Sequence, residues 1–461
     1  MSQKSNAVQR VDTSSLQSRL SSDATITDAS QPLRWSDFKA PQPGRIVHPA
    51  TAEDVSTIVQ WANEHNVPFL VQSGGNGWAK TFTLDETGIL IQLDKLRSVV
   101  FNENGTQVTI GGGALISDVV PVAEAKSSLV LTGVCNTVGA LGAILGGGFS
   151  SLGGQFGLGV DDVLSLDVVK PDGQAITISA AQDAEQNDKD LFWAMRGAGP
   201  SFGIVTSAVL RAHPVSADKL YAWTGPLIFA PSQLEDVINT IQGMEFVPQM
   251  AMALNFLNLG APTIITTLFY HGSAENGRLA FKALLDVGPL KDATAIVPYS
   301  KWNAGSDIAC SKGGRKPTFG VGLAKLDPAS WRSAFDAWAE LIQQPGAERS
   351  SVLLNVVPMD KARNLPDSTS SYPFRHTVNF HVTLTANYTD AAFDGRAIEY
   401  GQKVRAIWQA TDGLAQHSTY VNNAFGDESL ETVYGNSLRR LKAMKKQVDP
   451  HNRFNQWFSI M

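Results

Sequence analysis

The sequence predicts an α+β fold in two domains, and three observations carry that prediction. At 461 residues the chain is too long for one hydrophobic core. Short apolar runs alternate with amphipathic stretches, separated by turn residues. The texture also changes near Pro214, with glycine dense before it and thinner after it.

Residues 1–35 read as a loose, polar and Ser-rich lead-in without the apolar core of a secretory signal. Arg45–Thr51 reads as a short strand. Thr51 with Asp54 three residues later resembles a capping box, and Val55, Ile58, Val59 and Ala62 follow at helical spacing. Phe69–Val71 is a buried strand running into Gln72-Ser73-Gly74-Gly75-Asn76-Gly77. Gly88–Leu93 is the next strand. Arg97–Ile110 reads as a hairpin about Asn104-Gly105, and Leu115–Lys126 as an amphipathic helix. A glycine-rich stretch, Leu131–Asp162, comes next. Val163–Val169 and Ala175–Ile178 are strands about the Pro171-Asp172-Gly173 turn. Asp190–Arg196 is a short helix, and Ile204–Arg211 a strand. Beyond Pro214, helices are expected at 234–244, 331–341, 390–411 and 438–448. Strands are expected at 264–270, 320–324, 352–357 and 377–385, forming an antiparallel sheet.

Composition narrows the function. The hydrophobic share is 43%, the charged share 17% and the net charge −6. That balance, without any Lys/Arg block, argues against nucleic acid or an acidic membrane surface as partner. No run suffices to span a bilayer, so a cytoplasmic protein is expected. Two cysteines, Cys135 and Cys310, make no disulfide framework, and His and Cys show no metal-ligand spacing. The Asn-x-Thr triplets at Asn104 and Asn387 read as chance.

Two glycine loops hold the chemistry. Gly74–Gly77 at a strand end exposes several backbone N–H groups, which is how a nest binds phosphate oxygens; its plainer reading is a β-turn. The glycines of Leu131–Asp162 imply close backbone approach to another strand or to a flat ligand, or else tight packing alone. Neither loop is a Rossmann fingerprint, since Gly197-Ala198-Gly199 meets Phe202 where a third glycine should fall. No G-x-x-x-x-G-K-[ST] phosphate loop and no G-x-S-x-G elbow occur.

Taken together, these segments resemble the FAD-linked oxidases of the vanillyl-alcohol-oxidase and p-cresol-methylhydroxylase superfamily, especially the berberine-bridge-enzyme-like branch. Val71–Gly75 resembles the family's R-S-G-G-H loop, and Gly133–Gly139 its G-x-C-x-x-V-G segment. Asp190–Arg196 followed by Gly203-Ile204-Val205-Thr206 resembles D-L-F-W-A-L-R-G…F-G-I-V-T. Tyr420-Val421-Asn422 resembles Y-x-N, and Tyr434 to Phe454 the C-terminal signature. The resemblance implies a two-lobed FAD-binding (PCMH-type) domain at 36–215, a substrate domain with an antiparallel sheet at 216–415, and a segment at 416–461 that returns to the first domain. It implies FAD contacts from Ser73, Gly74, Gly75, Asn76, Gly77, Cys135, Thr137, Val138, Gly139, Gly142, Gly147, Gly203, Ile204, Val205 and Asn422.

The departures from the family matter. Asn76 stands where a histidine forms a covalent flavin bond, and an amide cannot form it. Cys135 occupies the family's second attachment point, so the chain allows one thioether or none; otherwise Cys135 is a small buried apolar residue. Gln72 and Gly154 replace arginines, and Asn423 a tyrosine.

The resemblance further implies hydride transfer from a natural-product-like alcohol, phenol or amine to flavin N5, with dioxygen as acceptor and hydrogen peroxide as product. A base is expected on the substrate sheet. Strand alternation across Arg375–His381 puts His376 and His381 on opposite faces, so one of them faces the flavin. Tyr420 and Asn422 are the other candidates. Trp302, Phe319 and Tyr372 are aromatic residues for a pocket or for the core. The alternatives are a flavin-holding cyclase or pericyclic catalyst without redox turnover, and a flavin-free binding protein. Oligomeric state is left open.

Overall fold

The computed structural model describes residues 10–29 and 33–461. The first lobe holds two sheets. One has four strands in the order Thr25–Asp28, Arg45–His48, Ile89–Gln92, Phe69–Gln72, the last three parallel to one another. Helix Ala52–Glu64 covers it. Thr51 Oγ1 accepts from the Asp54 N–H at 3.1 Å, while the Asp54 side chain accepts from the Thr51 N–H, which completes the expected capping box. Val55, Ile58, Val59, Trp61 and Ala62 on its inner face are buried with Val47, Ile89 and Ile91.

The second sheet is antiparallel, in the order Val99–Phe101, Gln107–Gly111, Ile204–Arg211, Val163–Val169, Ala175–Ser179. The glycine-rich stretch leads into it as three short helical turns, Ala140–Ile144, Gly153–Phe156 and Gly159–Asp162.

The second lobe is one large antiparallel sheet whose long strands, in order, are Tyr221–Phe229, Pro262–Tyr270, Met250–Asn258, Ser351–Val356, Phe380–Thr385 and, at the edge, Thr318–Leu323. Period-two alternation divides its faces. Met250, Met252, Leu254 and Phe256 pack in one core with Phe380, Val382 and Leu384. Helices Leu234–Gly243, Pro328–Leu341 and Asp394–Gln409 supply the rest of that core. The Phe256 ring lies 5.7 Å from Trp331, 5.0 Å from Phe335 and 5.5 Å from Trp338. Ala251 and Phe269, on the opposite face, belong to the core shared with the first lobe.

Three expectations are corrected. The lead-in is not loose where it is described: Ser14–Gln17 is a helical turn, Thr25–Asp28 pairs with Arg45–His48, and Leu16 is buried. The remainder of that expectation, residues 1–9 and 30–32, lies outside the described residues. The strand expected at 377–385 begins only at Phe380, because the Thr377 and Val378 N–H groups turn back to the Phe374 carbonyl. Cys135 and Cys310 form a disulfide with Cα atoms 5.9 Å apart; their separation of 175 residues hides from the sequence that the lobes bring them together.

Candidate active site

A cavity of about 410 Å³ runs along the seam between the two glycine loops. Ser73, Gly74, Gly75, Asn76 and Gly77 line it from the first sheet, and Cys135, Val138, Gly139 and Gly142 from the glycine-rich stretch. Gly203, Ile204 and Val205 add a third wall, while Tyr420 and Asn422 come in from the C-terminal segment.

The loops touch, which explains their glycines. A Cβ at Gly74 would lie 2.5 Å from the Gly139 nitrogen and 2.6 Å from the Thr137 carbonyl oxygen. Gly146 and Gly147 have a related reason: a Cβ on the first would meet the Asn422 amide at 2.3 Å, and on the second the Tyr420 ring at 2.9 Å. Strand Thr318–Leu323 is relieved in the same way. Gly320 leaves room for Asn423 and Gly322 for Ser418, so the 418–423 segment can lie against the sheet and carry Tyr420 and Asn422 to the cavity.

Tyr420 is deeply held. Its Oη accepts from Asn422 Nδ2 at 2.8 Å and from the Gly148 N–H at 3.3 Å, and lies 3.3 Å from the Ala143 carbonyl to which it donates. Burial pushes its phenol well above the usual range, so it stays protonated. Phe149 packs edge-on against Tyr420, Tyr372 and His381, with centroids 5.0, 5.8 and 4.5 Å away.

The remaining candidates lie elsewhere. His381 faces the first lobe but sits behind Phe149 and does not line the cavity. Its Nε2 lies 3.4 Å from Tyr372 Oη, its Nδ1 finds no protein partner, and burial pulls its pKa down to about 3. His376 is half exposed on the turn, 3.1 Å from the Leu365 carbonyl oxygen and 3.4 Å from Asp367, so strand alternation does not apply to it. Thr137 and Gly147 stand behind the wall. Thr137 Oγ1 accepts from Asn76 Nδ2 at 3.3 Å and donates to the Cys310 carbonyl at 3.2 Å. Trp302 and Phe319 pack in cores, the former against Phe269 and the latter against Phe425.

Phe149 and Arg34 are among the lining residues that the sequence reading did not single out. Phe149 lies inside the glycine-rich run, where only the glycines drew notice. Arg34 comes from the lead-in, where no motif marked it.

The donor set suits a flavin nucleotide. Buried Ser73 Oγ, Trp78 Nε1 and Asn422 Oδ1 line the cavity without a protein partner. Apolar walls from Phe69, Val71, Leu141, Leu145 and Phe149 suit flat rings, and the Gly74–Gly77 backbone suits phosphate. Among the described residues no His/Cys/Asp/Glu cluster could hold a metal, and no helix is long and apolar enough to cross a membrane.

Fold and cavity together define a two-lobed FAD-binding protein of the PCMH type. The FAD binding domain family matches residues 43–179, and the berberine and berberine-like family matches residues 419–461. The FAD-linked oxidoreductase OXR1 of Pyricularia oryzae is 34% identical over 436 residues, covering 91% of this chain and 84% of the relative. The FAD-linked oxidoreductase hasG of Aspergillus fumigatus is 33% identical, with 90% and 91% covered. Among solved structures, Physcomitrella patens BBE-like 1 has a TM-score of 0.82 at 18% identity, covering 95% of this chain and 96% of that one. The xylooligosaccharide oxidase of Myceliophthora thermophila has 0.80 at 22%, with 95% and 97% covered. The chain belongs to the berberine-bridge-enzyme-like family of FAD-linked oxidoreductases.

Proposed function

We propose that this FAD-linked oxidoreductase removes a hydride from a natural-product-like alcohol, phenol or amine and passes the electrons to dioxygen, giving hydrogen peroxide. One observation carries the reading: the cavity lined by both glycine loops is also lined by Tyr420, Asn422 and Phe149. A single space therefore offers nucleotide contacts and a polar pair in an aromatic wall. Bound FAD supplies the hydride acceptor.

The protein's part follows from its residues. Ser73, Gly74, Gly75, Gly77 and Asn76 would hold the nucleotide from one side, and Val138, Gly139 and Gly142 from the other. Phe149 and the apolar walls exclude water. No carboxylate or histidine is among the described lining residues, so the substrate's O–H or N–H proton passes to solvent at the cavity mouth rather than to a side chain. Tyr420, a neutral phenol that accepts from Asn422 and Gly148 and donates its own proton to the Ala143 carbonyl, is a positioning residue that fixes the Asn422 amide at the cavity wall. Cys135 has no free thiol while paired with Cys310, and Asn76 cannot form the histidyl bond, so FAD is held without a covalent link in the disulfide form.

The test is anaerobic titration of the purified yellow protein with benzylic alcohols, phenols, secondary amines and oligosaccharides. Bleaching at about 450 nm, the oxidised-flavin band, followed by peroxide release in air, is expected with one of the first three classes. Turnover to a product of unchanged mass without peroxide would replace the proposal with a non-redox reaction. Tyr420→Phe removes the anchor of the Asn422 amide and is expected to slow flavin reduction by about tenfold, as for loss of one hydrogen bond, with the protein still yellow.

A further inference from the structure

Among the described residues, Arg34 is a buried cation without a counter-ion. It is 3% exposed and lines the cavity beside Gln72 and Gly77. Its Nη2 donates to the Gly77 carbonyl at 2.9 Å, its Nη1 donates to Gln72 Oε1, and its guanidinium lies 5.0 Å from the centroid of the Phe82 ring. Those partners are neutral. Burial alone acts on the group, pulling its pKa down to about 10, and no carboxylate among the described residues offsets it.

Its surroundings add positive charge. Lys312 Nζ donates to Asn76 Oδ1 at 3.1 Å and to the Gly74 carbonyl, and the charges of Arg34 and Lys316 help burial to lower its pKa to about 8. Burying an unpaired charge costs several kcal/mol. A fold that retains one at the wall of a cavity is arranged for an anion. A guanidinium matches phosphate oxygens two at a time, and the neighbouring loop already presents backbone N–H groups.

Gln72 explains how Arg34 is aimed. Gln92 Nε2 donates to the Ser73 carbonyl at 2.9 Å, Gln72 Nε2 donates to Gln92 Oε1 at 2.9 Å, and Gln72 Oε1 accepts from Arg34. The residue that replaces the family's loop arginine therefore serves as a clamp for an arginine from outside the loop. Arg34 also precedes the FAD-binding match, which starts at residue 43.

We propose that Arg34 neutralises the diphosphate of the bound nucleotide and that Gln72 is its positioning residue. The inference rests on the FAD reading, and one experiment separates the two. FAD and riboflavin, which lacks the diphosphate, are titrated into flavin-free protein and followed by flavin fluorescence. Wild-type protein that binds neither would refute the FAD reading itself. With wild-type binding in hand, Arg34→Gln should weaken FAD on the order of 30-fold, the loss typical of a charged hydrogen-bonded contact, and leave riboflavin within about twofold. Equal losses for both ligands, or no loss for either, would overturn the role. Should Arg34→Gln fail to fold, Arg34→Lys decides. It keeps the charge without the fork, so FAD should weaken by roughly three- to tenfold with riboflavin unchanged; an unchanged FAD-to-riboflavin ratio would overturn the proposal.

Discussion

Cys135 shows how one residue can carry two incompatible chemistries. A sulfur bonded to Cys310 cannot also bond a flavin. Acid precipitation is therefore expected to leave FAD in the supernatant, and a non-reducing digest should join the Cys135 and Cys310 peptides. FAD remaining on the Cys135 peptide would show that the thioether displaces the disulfide. His381 gives a pH prediction. Its folded pKa of about 3 lies below the ordinary imidazole value of 6.5. The unfolded chain thus binds the proton first, and stability present above pH 6.5 is lost as pH falls toward 3. The shift sets a ceiling of about 5 kcal/mol on that loss. The melting temperature of His381→Phe should fall less steeply than wild type between these limits, and parallel curves would contradict the assignment.

At the level of elements, the seam between glycine loops is the most sensitive place. Gly74→Ala pushes a methyl group into backbone at Gly139 and Thr137, which cannot swing aside as a flexible side chain can. Overpacking of this kind costs roughly 1–3 kcal/mol, and FAD content should fall with it. An alanine variant as stable and as yellow as wild type would show that the loops do not meet. The same scale explains what local pattern revealed. The Thr51 cap, the Asn104-Gly105 hairpin and strand Ile204–Arg211 were legible because cap, turn and apolar run agree over a few residues. Strand Tyr221–Phe229 was hidden by Gly225-Pro226 in its middle; Gly225 has φ +144° and lets Ala293 approach. Strand Met250–Asn258 was hidden by Met, Ala and Leu, which favour helices, and only pairing on both sides makes it extended.

The two lobes are tied by buried charge. Arg375 Nη1 and Nη2 each lie 3.0 Å from an Asp161 oxygen, which clamps the end of the glycine-rich stretch to the turn preceding strand Phe380–Thr385. Arg375→Ala leaves Asp161 buried and unpaired, and a loss of about 3–5 kcal/mol in denaturant unfolding is expected. Replacing both, as Asp161→Asn with Arg375→Met, should recover part of it; a single variant no weaker than a surface change would mean the clamp contributes nothing. At the C-terminus Lys445 Nζ lies 2.7 Å from Asp449 and donates to the Ser201 and Phe454 carbonyls, which fastens the segment carrying the berberine-like match to the first lobe.

The amino-acid order alone determined the α+β class, the two glycine loops and the membership of a flavoprotein family, because each is written in residues close together in the chain. Tertiary structure decided that Arg34, Tyr420 and both loops share one cavity, that His376 turns outward, that His381 stands behind Phe149, and that Cys135 meets Cys310. These depend on which distant surfaces pack together, and short-range propensity carries no information about that packing.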